Sequence, residues 1–85
     1  MDSSLKMVLI SEILFIQDPA NTCCKDNDLF DEYSKESTEI VLTYLENGKF
    51  SIDDLVMIFD KSFNEYYDLV NLKFCSSLIL PILLR

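Results

Sequence analysis

Apolar residues recur at helical spacing along most of this chain. In the first stretch, Leu5, Val8, Leu9, Ile13 and Ile16 follow one another at the intervals that trace one face of an α-helix. Met7, Ile10 and Leu14 widen that stripe round most of the circumference, so a helix over residues 3–17 should be largely buried. Asp2, Ser3 or Ser4 can cap its start by accepting a hydrogen bond from an unpaired amide. Asp18-Pro19 ends it, because the residue before proline disfavours the helical region. Residues 19–25 read as a loop.

A second helix fits residues 26–46, with Leu29, Phe30, Tyr33, Ile40, Val41, Tyr44 and Leu45 on one side and Asp28, Asp31, Glu32, Lys35, Glu36 and Glu39 on the other. Its middle, residues 34–39, is wholly polar and offers a break into two shorter helices. Asn47-Gly48 ends it, since either residue accepts the left-handed conformation that follows a helix. Ser51-Ile52-Asp53-Asp54 then opens a third helix with a capping-box-like pattern, its acids placed where the helix dipole favours negative charge. Ile52, Leu55, Val56, Phe59, Phe63, Tyr66 and Val70 carry its stripe to about Leu72, with Asp53, Asp60, Asn64 and Asp68 opposite and Met57 in the same outward sector. The last segment, residues 73–84, is apolar and interrupted by Pro81, and reads as a fourth helix or an extended strap. No repeat, low-complexity tract or boundary divides the chain, so the pattern predicts an all-α fold. Residues 1–85 form one domain, a compact three- or four-helix bundle.

Charge narrows the function. Fifteen acids stand against seven bases, for a formal charge of −8. Residues 26–69 hold twelve of the acids with three lysines, whereas residues 70–85 hold Lys73 and Arg85 and no acid. A nucleic-acid binder needs the opposite balance to displace counterions from phosphate. There is no histidine, which removes the usual proton shuttle and the commonest metal ligand. A single glycine leaves nothing for a phosphate-cradling loop. Asp26-Asn27-Asp28 with Asp31 and Glu32 has the flavour of a calcium loop but lacks its sixth-position glycine and twelfth-position acid. The half-match around Asn47-Gly48 would need Thr43 and Leu45 as ligands. Carboxylates on exposed helix faces have nothing to raise a pKa for acid work. The expectation is therefore no enzyme, no metal and no cofactor.

Compartment follows from the same inventory. The start carries Asp2 and no base before Lys6, unlike a signal peptide. The apolar runs at residues 7–16 and 78–84 fall well short of the ~20 residues that span a bilayer. Three cysteines, two of them adjacent at Cys23-Cys24, form no metal or disulfide pattern and suit a reducing cytoplasm.

Two adjacent helices with acidic outer faces make one negative surface. Such a face keeps a small protein soluble, and it also steers a basic protein partner toward it. Within Asn64-Glu65-Tyr66-Tyr67-Asp68, adjacent tyrosines point about 100° apart on a helix, so both cannot lie in one buried stripe. Tyr66 fits the core; Tyr67 should sit at its margin or outside, beside Asp60, Asn64 and Asp68, where an exposed tyrosine serves as an interface anchor. The candidate partner-binding set is Glu36, Glu39, Asp53, Asp60, Glu65, Tyr67 and Asp68.

The tyrosine pair with Glu65 and Asp68 resembles the small acidic helical immunity proteins of bacteria, of colicin type or from contact-dependent inhibition, which bind and inhibit their producer's toxin. In the colicin nuclease immunity family, acids on one helix and a tyrosine pair on the next bind a basic nuclease, which implies that role for Tyr66 and Tyr67. That family follows its tyrosines with proline; here Asp68-Leu69 follows. The stretch from Tyr44 to Leu55 also resembles the helix-turn-helix of tRNase-type colicin immunity proteins, which have it near their start. A second resemblance competes: "ESTEIVLTYLENGKFSI", residues 36–52, is similar to the segment before the final helices of BTB/POZ adaptor domains, though the chain is too short for that fold's first half. The alternative function is thus an adaptor or structural subunit. Its apolar end, Leu78, Ile79, Leu80, Ile82, Leu83 and Leu84, would be buried in a homo-oligomer or larger complex.

Overall fold

The first segment forms the expected helix but not the expected burial. In the computed structural model, which describes residues 1–22 and 32–85, helix α1 spans Ser3–Gln17. Asp2 caps it, its carboxylate accepting from the Leu5 amide at 2.8 Å. Asp18 ends it in the left-handed region (φ 46°), donating its own amide to the Leu14 carbonyl. Leu5, Val8 and Ile16 of the predicted stripe are exposed, and the buried side runs through Ile10 and Leu14, because the helix is covered only where two later helices pack on it.

Helix α2 spans Ser34–Asn47. The predicted start at residues 26–31 lies outside the described residues, as do Cys23 and Cys24. The polar stretch that suggested a break is instead the first half of this helix. Ser37 is fully buried, and its hydroxyl donates to the Met7 carbonyl of α1, so a polar residue here joins two helices. Gly48 (φ 70°) closes α2, donating its amide to Tyr44.

Helix α3 spans Ile52–Phe63 and begins as expected: the Ser51 amide donates to the Asp54 carboxylate at 2.9 Å. It does not continue to Leu72. Asn64 turns the chain through a positive φ of 56° with ψ −122°, outside the left-handed helical region and in one that glycine favours. Asp68 then caps a new helix, α4 (Leu69–Leu83), by accepting from the amides of Val70 and Asn71. The apolar stripe crossed this break because Phe63, Tyr66 and Val70 keep helical spacing on either side of it. Val70, expected in the core, is 78% exposed. α4 passes through Pro81 without stopping. Pro81 and Ser77 both lie on the outer side, so the carbonyl left without its amide partner faces water.

Among the described residues, four helices thus close a ring: α1 packs on α2 and α4, and α3 packs on the same two. α1 and α4 run antiparallel, tied at both ends. The Lys6 ammonium donates to the Leu83 carbonyl at 2.9 Å, and the Asn71 amide donates to the Gln17 carbonyl at 2.7 Å. Between the helices sit Ile40 and Val41, Leu55 and Phe59, and Leu72, Cys75, Ile79 and Leu83. The protein is an all-α bundle, with no strand among the described residues. The apolar end divides: Ile79 and Leu83 are core, while Leu78 and Leu84 face outward. No described helix is long and apolar enough to cross a membrane.

Candidate interaction surface

The corner between α3 and α4 is built on an aromatic cluster. Tyr33, ahead of α2, is fully buried and stacks on Phe59 with ring centroids 6.0 Å apart. Phe63 packs against both rings, and Tyr67 closes the group edge-on to Phe59. The Tyr67 hydroxyl donates to Asp60, one helical turn back along α3 from Asn64. That hydrogen bond, then lost hydration, then the negative charge of Asp60 and Glu65 hold the Tyr67 hydroxyl above the ordinary tyrosine pKa. The corner is fixed to α1 as well, for the Asp68 amide donates to the Pro19 carbonyl at 2.7 Å.

Breaking α3 at Asn64 reverses the expected roles of the two tyrosines. Tyr67 turns inward, half-buried, and Tyr66 stands out, 80% exposed. An open cleft of about 770 Å³ lies on one side of it, bordered by Gln17, Asp18, Asn21, Asp68 and Asn71. Another of about 690 Å³ lies on the other, bordered by Asp60, Asn64 and Glu65. The hydrophobic pattern assigns Tyr66 to the core and gives Asp18 no role in this surface; only the resemblance to immunity proteins points to Tyr66 as part of it. The signal that could have found Tyr66 was Asn64 followed four residues later by Asp68, a turn residue and then a helix cap.

The other candidates scatter. Asp60, Glu65, Tyr67 and Asp68 meet at the corner. Asp53 is exposed on α3 two turns away, about 10 Å along the axis. Glu39 lies on α2 and pairs with Lys61 of α3 at 2.8 Å, so its charge is answered within the chain. Glu36 requires correction: it is only 4% exposed and belongs to the interior rather than the acidic face. The α2–α3 groove gathers acids not in the candidate set, Glu46 and Asp54, around the exposed thioether of Met57.

Chemically, the corner offers carboxylates around a protruding phenol ring. It can hold a guanidinium or ammonium group by charge-assisted hydrogen bonds and by contact with the ring face. No group of three or more metal-ligating side chains occurs among the described residues. Burial pushes the Cys75 thiol up to about 11, away from nucleophilic use. The chain matches no protein-family model, no characterised protein and no solved structure.

Proposed function

We propose that this chain is a non-enzymatic protein-binding inhibitor of immunity type, acting in the cytoplasm by covering the functional surface of a basic protein such as a toxin or nuclease domain. The observation that carries the reading is Tyr66, 80% exposed between two carboxylate-bordered clefts. Aromatic side chains exposed at such cost in apolar surface are the residues that dominate interfaces, and tyrosine ranks high among them. The net charge of −8 supports the same partner chemistry by steering a cationic surface toward the corner. Asp60, Glu65 and Asp68 then pair with the partner's lysines and arginines around the Tyr66 ring. Occlusion needs no reacting group, which agrees with the poor catalytic inventory of the sequence.

The test is capture from the host lysate at low and high salt, followed by an activity assay of the captured protein. One basic protein that is released as salt rises, and whose activity falls on stoichiometric addition of the chain, supports the reading. Capture unaffected by Tyr66→Ala and by salt sinks it.

A further inference from the structure

Outside the acidic corner, exposed apolar residues gather, among the described residues, on the outer side of α4 and the adjoining edge of α1. Val70, Phe74 and Leu78 succeed one another at intervals of four residues along α4, with exposures of 78%, 52% and 37%; Leu84, 71% exposed, lies off this row at the helix end. Leu5 and Ile16, each about half exposed, continue the face on the neighbouring antiparallel α1. We infer that this face is where two copies of the chain pack together.

Area and charge identify the occupant. An aromatic side chain presents ~150–250 Å² when fully accessible and the aliphatic ones here less, so these six residues together expose roughly 500 Å². That is toward the upper end of the ~300–600 Å² patch a monomer tolerates, and with the flanking Lys73, Ser77, Pro81 and Arg85 it approaches the ~800 Å² per partner of a stable interface. A basic partner belongs on the carboxylate side of the molecule. Residues 70–85 carry Lys73 and Arg85 and no acid. α4 is thus the helix along which two strongly negative chains can meet with their acidic sides turned apart. The face also holds both signs, since exposed Glu12 of α1 lies between Leu5 and Ile16, so it can complement its own copy across a two-fold axis. The pairing meets the acidic corner at Ile16, which also borders the cleft beside Tyr66. It does not rest on the inhibitor reading, because Tyr66 itself takes no part in it.

Sedimentation equilibrium of the full chain, from one to one hundred micromolar, tests this. The expected result is twice the mass of one chain, unchanged in one molar salt, and a single-chain mass for Phe74→Glu with the circular dichroism of a folded bundle. Leu78→Lys, also on the outer side, is the second variant and should behave in the same way. Tyr66→Ala should leave the dimer intact. A single-chain mass for the native protein at one hundred micromolar overturns the inference, as does a dimer that survives both α4 substitutions or dissolves in salt. A monomer that floats with neutral phosphatidylcholine vesicles would assign the face to a lipid surface and overturn it equally.

Discussion

The hydroxyl of Tyr33 donates a hydrogen bond to the carboxylate of Asp18 at 2.6 Å and accepts one from the Ala20 amide at 3.1 Å. The same carboxylate oxygen accepts from the amide and hydroxyl of Thr22, both at 2.9 Å. One buried phenol therefore fastens the chain leaving α1 to the start of α2. Tyr33→Phe removes both bonds while keeping the ring against Phe59. We expect a loss of about 1–2 kcal/mol, because the Ala20 amide is left without its acceptor. Urea denaturation should show the midpoint falling with an unchanged slope.

The same residue sets the alkaline limit. Burial first, and the Asp18 hydrogen bond second, raise the Tyr33 pKa well above the ordinary 10.0, so the folded chain keeps a proton that the unfolded chain releases. Cys75 acts in the same sense, raised by burial from 9.0 to about 11. A raised value in the folded state means that stability is complete below the unfolded pKa and declines above it. Stability should hold to about pH 9 and then fall, by up to ~1.4 kcal/mol per pH unit for each group. Tyr33→Phe and Cys75→Ala should each flatten that decline, measured as the denaturation midpoint against pH.

The two neighbouring tyrosines should separate by function. Tyr66→Ala removes an exposed ring and is expected to change stability by less than ~0.5 kcal/mol while weakening partner capture. Tyr67→Ala removes the contact with Phe59 and the bond to Asp60, and should lower the thermal midpoint. Paired melts and binding assays of the two variants check the assignment; equal effects on stability would refute it.

That assignment marks where the sequence was legible and where it was not. The Asp2 cap, the Ser51/Asp54 capping pair and Gly48 lie where reading predicts them, because each is a local interaction between near neighbours in the chain. The end of α3 was illegible because Phe63, Tyr66 and Val70 preserve helical spacing across the turn, so periodicity alone ran on. Burial of Glu36 was hidden for another reason. Alternation of polar and apolar residues assumes that polar ones face water, whereas Ser37 is drawn inward by a carbonyl of α1 some thirty residues away.

Asn64 holds a positive φ of 56° with ψ −122°, a region glycine occupies more readily than asparagine. Asn64→Gly should raise stability by up to ~1 kcal/mol, and Asn64→Val should lower it by at least that much. Thermal melts give the sign directly.

Within α3, the Ser62 hydroxyl is buried without a hydrogen-bond partner among the described residues. Ser62→Ala should therefore be neutral or stabilising, by up to ~1 kcal/mol in chemical denaturation, since it deletes an unpaired polar group rather than a bond.

The ties from Lys6 to Leu83 and from Asn71 to Gln17 also bear on how the molecule breathes. Each joins a side chain of one helix to the last carbonyls of the other, so neither helix can fray at that end without releasing its neighbour. Amide hydrogens in α1 and α4 should consequently exchange with deuterium as one cooperative unit with a shared opening free energy, while α3, bounded by the turn at Asn64, opens on its own.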